Sequence, residues 1–403
     1  MKLLIVVSRY PWPPRRGDQL RAVQMAELLA DRHEVTLLAP SPPPGAAPRP
    51  EAFPARFVTY RRSGAVGHAR GIFRAAVKGL PFQTGLFGSR HLGRALHRLA
   101  PESDLVLLQL VRLARVARDL EGTPHAIDLI DSLALSTKRR ARFDRRAWAP
   151  LLRWEARRLA RWERRLAASA SGTLLVSERD ARSIAVGLPQ GTARRLHVVP
   201  IAVEAAEPPA AGSGIDPPNP SPPVLAITGN LGYFPTSEGT CWLLREVWPR
   251  LRAERPGLRL VLAGNRPPRT LVREAMRRDA ELLPSPQDLR GLLASVTVAL
   301  APMRGGAGLP LKVLEAWAAG VPVVATAWAA EGAAARPGQD LLVAEGRQEW
   351  YEAVSALLED AELRRRLSVS GRQRLAERFS VDVVRRRLEQ ALESTLAESS
   401  VSC

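Results

Sequence analysis

The residues best suited to chemistry lie in one stretch, Val296–Thr326, which reads VTVALAPMRGGAGLPLKVLEAWAAGVPVVAT. Its pattern predicts a strand ending at Ala301, then a loop holding Arg304, Gly305, Gly306 and Gly308, then a helix whose first turn suits Pro310. A glycine-rich loop feeding a helix N-terminus offers free N–H groups and the positive end of a dipole, and diphosphate binds such places. Lys312 and Glu315, three residues apart, share a helix face. Leu311, Leu314 and Ala318 are predicted to form a separate, buried stripe. A cation and a carboxylate on the open face fit a nucleotide sugar. Lys312, with Arg304 as a second phosphate candidate, balances the diphosphate, and Glu315 accepts from ribose hydroxyls. Fixed cations and dipoles there lower the barrier to loss of a diphosphate. The same spacing also describes an ordinary surface salt bridge. Only Lys2, Lys78, Lys138 and Lys312 are lysines among the 59 basic residues, so an ammonium at 312 departs from the arginine rule.

The elements that must hold this stretch follow from the hydrophobic pattern. Lys2–Ser8 and Glu34–Ala39 read as strands around a helix over Gln19–Ala30, and strand-like runs recur at Leu105–Leu110, Ala126–Ile130, Gly172–Ser177 and His197–Pro200. A second series is expected at Val224–Thr228, Arg259–Ala263, Val296–Ala301 and Val321–Ala325, with helices between. Continuous apolar strands alternating with helices imply parallel sheets covered on both faces. The expected class is α/β, with two Rossmann-like parallel-sheet domains facing a cleft and ligands at the carboxyl ends of the strands. The divisions are an N-terminal domain over 1–203, a Pro-rich linker over 204–223, a second domain over 224–379 and a C-terminal helix and tail over 380–403, a total of 403 residues that suits two cores.

The hydrophobic fraction is 46%, which excludes global disorder, and the net charge is +19. A polyanion partner and a plain compositional bias towards arginine both account for that charge. Lys138–Arg165 holds 12 basic residues against three acids, with Trp148, Trp154 and Trp162 interleaved. Trp148, Leu152, Leu159, Trp162 and Leu166 fall near one helical face, which suits either an anionic membrane surface or the back of a sheet. Glu155 and Glu163 fall near that face and are expected to pair with arginines. Cys241 and Cys403 make neither a disulfide framework nor a metal site, and no cofactor or metal is expected. The apolar run Leu3–Val7 is too short for a signal peptide or a membrane span. A cytoplasmic protein, at most peripheral on the inner face of the plasma membrane, is the expectation. Neither G-x-G-x-x-G after the first strand nor G-K-[ST] is present.

The 311–326 segment LKVLEAWAAGVPVVAT resembles the C-terminal donor-binding motif of the group 1, family-four-like glycosyltransferases. GNLGYFPTSEG (229–239) resembles their first donor-domain loop, EVWPRLRAERPGLRLVLAG (246–264) the helix, strand and glycine loop that follow, and RYPWPPRRGDQLRA (9–22) their first N-terminal loop. The likeness runs over most of the chain, strongest over 224–345, and is closest to the bacterial branch that builds exopolysaccharide and other surface glycans. It implies the two-domain GT-B fold, a final helix crossing back to the N-terminal domain, and retaining transfer from a UDP- or GDP-sugar without metal. The implied acceptor is a lipid-linked or growing surface glycan. Lys312 and Glu315 match the family's donor residues, with Gly229, Asn230 and Arg266 of GNRPP (264–268) alongside. Gly17 matches the glycine facing the transferred sugar, and Arg21 lies in the same acceptor or phosphate loop. Tyr233 and Phe234 either line the cleft or pack in the core, and Glu331 and Gly332 fall at its edge. Two departures bear on activity. The position eight before Glu315 is Ala307, where relatives carry a first glutamate, and the place of a strand-end His is Ile130. Asp128 or Asp131 stands in for that His as the polarising group, ahead of His125, while a turn or N-cap role accounts for Asp131 equally well. A non-catalytic scaffold, an epimerase or phosphorylase-like enzyme and a nucleic-acid binder are the competing readings. No motif supports the last, so no nucleic acid is expected.

Overall fold

The apolar runs fold into two sheets of parallel strands in a computed structural model, which describes residues 1–401 apart from 78, 82–83, 85–86, 88–89, 114–115, 121, 145–146, 206–219 and 287. In the first sheet the strands are β1 (Lys2–Val6), β2 (Glu34–Pro40), β3 (Arg56–Tyr60), β4 (Leu105–Gln109), β5 (His125–Ile130), β6 (Gly172–Leu175) and β7 (Leu196–Val198). Their order is β3-β2-β1-β4-β5-β6-β7, and every pairing is parallel. The central strands are apolar on both sides because helices cover both faces. Four helices of this region matter below: α1 (Gly17–Ala30), α2 (Ala65–Val77), α3 (Leu133–Arg140) and α4 (Ala149–Ser169). Leu159, Trp162 and Leu166 of α4 share a buried cluster with Val106, Leu108 and Ile127 of the sheet.

The second sheet contains β8 (Val224–Asn230), β9 (Arg259–Asn265), β10 (Glu281–Pro284), β11 (Val298–Ala301), β12 (Val323–Ala325) and β13 (Leu342–Val343), in the order β10-β9-β8-β11-β12-β13. Helices α5 (Phe234–Glu246) and α6 (Leu311–Ala318) belong to it, and the chain ends in α7 (Val381–Val401). The sequence pattern misses β3, β10 and β13, three of the four edge strands of the two sheets. An edge strand is covered less and is short, so it lacks the continuous apolar run that marks its neighbours.

Two compact units result: Met1–Lys138, Arg146–Ile201 and the residues from Val384 onward form one, Arg139–Arg145 and Ala202–Val383 the other. The C-terminal helix thus returns to the first unit. There Arg385 pairs with Asp31 at 3.2 Å and Ser399 donates to Ser171 at 2.7 Å. The predicted linker falls largely on 206–219, outside the described residues. In each unit the strand order reverses beside the first strand, between β1 and β4 and between β8 and β11. Loops leaving the carboxyl ends of those strands diverge there and leave a crevice for a ligand.

Candidate functional site

In the second unit the loops at that reversal carry the residues of interest. Gly229 and Asn230 end β8 in register with Gly264 and Asn265 of β9. The turn that follows is fastened by Gly232 N–H donating to the Asn265 carbonyl and to Asn230 Oδ1, both at 3.1 Å. Arg266, with φ +55, lies against Gly232 and is exposed. After β11, Gly305, Gly306 and Gly308 all have positive φ (+90, +90 and +77), which an L side chain adopts only with strain. The loop is pinned at its start, where Arg304 N–H donates to the Pro235 carbonyl at 3.0 Å and Thr326 Oγ1 to the Met303 carbonyl at 2.9 Å. Tyr233 packs on the buried cluster of this unit, with its hydroxyl against Gly306.

Helix α6 starts at Leu311 behind Pro310 and stops where sequence reasoning puts its end. Gly320 is left-handed at φ +71 and donates to the Trp317 carbonyl, while Val321 N–H donates to Ala316, the paired bonds of a Schellman motif. Leu314 and Ala318 are buried as expected, but Lys312 is not on an open face. It is 8% exposed, and its Nζ donates to Thr236 Oγ1 at 2.8 Å, over Gly229. Burial lowers the Lys312 ammonium to about 8, with Glu315 opposing. Glu315 is pushed up by burial, against the pull of Lys312. Its Oε2 is buried without a hydrogen-bond partner. Arg304 meets a competing contact, for its guanidinium lies 5.2 Å from the centre of the Trp242 ring. Glu331 and Gly332 close a short helix capped by Thr326, and Glu331 lies 3.8 Å from Arg139.

In the first unit, Gly17 opens α1 with open space where a side chain would stand. The next residue, Asp18, is an acid that sequence reasoning overlooked. It accepts from Arg9 at 2.6 Å and from Arg112 at 2.8 Å. Burial pushes the Asp18 carboxyl up, but the two guanidiniums outweigh it and hold it below the usual carboxylate range. Near Arg112, β5 ends in a bulge between Asp128 and Ile130, and Ile130 takes φ +64. A β-branched residue there is strained. The bend delivers Asp131, half-buried, and Ser132. Ser132 Oγ caps α3 by accepting from Leu135 N–H at 3.1 Å, so the capping role belongs to Ser132 and not to Asp131.

Two further acids converge on that cap. Asp180 accepts from Ser132 N–H at 3.2 Å, and Glu163 accepts from Ser132 Oγ and Ala134 N–H, both at 2.9 Å. Burial raises Glu163 to about 8, and burial with the charge of Asp180 raises Asp131 to about 7.

Three expectations, on Asp128, Arg21 and Glu163, are corrected here. Asp128 and Arg21 are each 1% exposed and bonded to one another at 2.7 Å, so they form an internal ion pair. Arg21 also donates to the Val199 carbonyl at 2.7 Å, so it is held in the interior and not in an open loop. Glu163 meets a helix start and a hydroxyl, not an arginine, although Glu155 does approach Arg158 at 3.5 Å. Of the two alternatives for the stripe of α4, Leu159, Trp162 and Leu166 take the second and face the sheet, while Trp148 at its start is exposed. His125 begins β5 with Nδ1 3.0 Å from the Thr123 carbonyl. No group of acids, histidines or cysteines among the described residues is placed to hold a metal ion, and no described helix is long and apolar enough to cross a membrane.

Residues 222–360 match the model of the glycosyl transferases group 1 family. The matched stretch lies within the second unit. A stretch of 130 residues, 30% of this chain, is 28% identical to an uncharacterized 44.6 kDa protein in the cps region of Klebsiella pneumoniae and spans 33% of that relative's length. Solved structures extend the likeness to the whole glycosyl transferase fold. Sucrose-phosphate synthase of Thermosynechococcus elongatus aligns with TM-score 0.73 at 14% identity over 98% of this chain and 99% of its own. Anabaena HepE in complex with UDP-glucose aligns with TM-score 0.64 at 15% identity over 98% and 100%. A trehalose-phosphate synthase of Burkholderia xenovorans with glucose-6-phosphate aligns with TM-score 0.67 at 16% identity over 97% and 99%. At these identities the shared property is the fold, that of GT-B proteins.

Proposed function

We propose that the protein is a glycosyltransferase that moves a sugar from a UDP- or GDP-sugar to a lipid-linked or growing surface glycan, with retention. The observation that carries this reading is the pair of charged residues on α6. An ammonium 8% exposed and a carboxylate with an orphaned oxygen stand three residues apart beside a glycine loop. A buried cation with only a hydroxyl and a nearby acid for company is costly in the empty protein. A diphosphate supplies the missing charge, and ribose hydroxyls supply the missing donors to Glu315 Oε2. The loop N–H groups of 305–308 add dipoles where the leaving diphosphate gathers charge. Neighbours crystallised with UDP-glucose and with glucose-6-phosphate support a nucleotide-sugar donor and a sugar acceptor. The cps-region relative supports a surface glycan. In the first unit Asp131, with Gly17 and the Arg9–Asp18–Arg112 group, is our choice for handling the acceptor.

The test is binding and turnover with a panel of UDP-, GDP- and ADP-sugars, using the wild type, Lys312→Ala and Glu315→Ala. One donor is expected to bind and be slowly hydrolysed, with both substitutions weakening it. If no donor binds the wild type, the reading fails. If a donor binds but no acceptor is glycosylated and no hydrolysis occurs, the protein is a nucleotide-binding scaffold, a reading to which Ala307 in place of a glutamate lends weight.

A further inference from the structure

Six of the eleven large apolar side chains exposed among the described residues lie on two helices of the first unit. On α2, Phe73 is 70% exposed and Val77 72%, with Ile72 beside them. Ala69, Phe73 and Val77 recur every four residues and therefore form one row. At the start of α4, Trp148, Leu151 and Trp154 are exposed, the tryptophans by 55% and 45%. They follow at three-residue steps and share a side of the helix. Apart from Trp148, this is not the side that sequence periodicity selects, since Leu159, Trp162 and Leu166 face the core.

The two rows are held together. Arg158 of α4 donates to the carbonyls of Ala75 and Leu80, and Trp162 Nε1 to that of Gly79, so the end of α2 and the turn after it are fixed on α4. The same guanidinium stacks 4.3 Å over the Trp154 ring. The exposed end of α2 is therefore brought to the turn of α4 that carries Trp154.

A basic row accompanies each apolar one. Arg70 and Arg74 are exposed on α2, and Arg153, Arg157 and Arg161 on α4. No Asp or Glu occurs between Glu51 and Glu102. The acids of α4 are turned away from the patch, Glu155 onto Arg158 and Glu163 onto the start of α3. An exposed apolar patch of this kind marks an interaction surface. Arginines flanking Trp and Phe, with no carboxylate among them, complement one partner in particular: a bilayer whose headgroups are anionic and whose interface accepts aromatic rings.

We propose that α2 and the first turns of α4 form a docking surface for an anionic phospholipid bilayer. Phe73, Val77, Trp148, Leu151 and Trp154 enter the headgroup region, and the arginine rows pair with lipid phosphates. This goes beyond the sugar-transfer reading and does not depend on it.

The experiment is flotation of the full chain with phosphatidylglycerol–phosphatidylcholine vesicles and with phosphatidylcholine vesicles alone, without nucleotide sugar. Wild type is expected to float with the anionic vesicles, not with the neutral ones, and less at high salt. The triple variant Phe73→Ser, Val77→Ser, Trp154→Ser should float at least about tenfold less. Arg153→Gln, Arg157→Gln, Arg161→Gln should do the same, and both variants should melt as wild type does because the side chains are exposed. The proposal is overturned if wild type does not float with anionic vesicles, or if the serine variant floats as well as wild type. It is also overturned if the serine variant only turns a dimer into a monomer, which would assign the patch to a second copy of the chain. If duplex DNA strips the protein from vesicles and the serine variant binds DNA and vesicles undiminished, the surface is a general polyanion site and the lipid assignment falls.

Discussion

Lys312 Nζ donates its 2.8 Å hydrogen bond to Thr236 Oγ1, which ties α6 to the first turn of α5 across the end of β8. Lys312 is the only lysine of the second unit, and Thr236 is 2% exposed. The hydroxyl holds the ammonium in place before any ligand arrives. Thr236→Val keeps the shape and removes that acceptor. Affinity for the nucleotide diphosphate, measured by calorimetry, is expected to fall about tenfold. Thr236→Ser should restore it. Unchanged affinity in the valine variant would show that the ammonium needs no anchor.

The same lysine should cost stability. Its folded-state value of about 8 lies below its ordinary 10.5, so the unfolded chain holds the proton more tightly. The penalty is full below the folded value and fades as pH rises from about 8 to about 10.5. Lys312→Met is therefore expected to stabilise the ligand-free protein by about 2 kcal/mol at neutral pH, with the gain shrinking towards pH 10. Urea unfolding at several pH values measures this. A variant both more stable and unable to bind donor is the expected trade between stability and function.

Gly172 of β6 meets the C-terminal helix. A methyl group there would sit 2.0 Å from Thr395 Oγ1 and 3.0 Å from its Cβ. Thr395 is fully buried, so it has nowhere to move. Gly172→Ala is expected to destabilise the protein by about 2 kcal/mol through overpacking, read as a lower Tm. Adding Thr395→Ala should recover part of the loss, since only the clash at Cβ then remains. A Tm equal to that of wild type would mean that α7 is loosely held.

These contrasts show where local pattern suffices. The helix stop at Gly320 is legible because spacing along one helix determines it, whereas the same spacing puts Lys312 on an open face and the fold buries it. Thr236 is not legible, since its meeting with Lys312 depends on how two helices pack over β8. Asp128 and Arg21 have the residue types of a site, yet they pair with one another inside the fold, and no residue type reports its own burial. For α4 the period of Leu159, Trp162 and Leu166 correctly marks an apolar face. Whether such a face meets a sheet or a membrane is decided by what lies opposite, and here it meets the sheet. Asp131 is the case in which a departure from the family pattern points to a strained bend at Ile130, a device that only the backbone reveals.

Asp131 carries the last prediction. Burial, with the charge of Asp180 and, more weakly, of Asp18, raises its carboxyl to about 7, and Arg112 opposes the shift. A group that titrates near the working pH suits general base chemistry. Its strained approach through Ile130 at φ +64 is a cost that a purely structural turn does not require. If Asp131 takes the acceptor proton, turnover should rise with pH through about 7 and then level off. Asp131→Asn should lower kcat on the order of a hundredfold or more while leaving affinity for the nucleotide diphosphate unchanged. Stability supplies a second reading. The folded-state value lies above the ordinary 3.8, so the folded protein binds more protons between about 4 and about 7 and loses stability as pH rises through that window. Asparagine removes this slope, and Asp131→Asn should be the more stable protein at pH 8. A variant with both the altered slope and full turnover would leave Asp131 as a half-buried acid of the α3 cap region and move the base elsewhere.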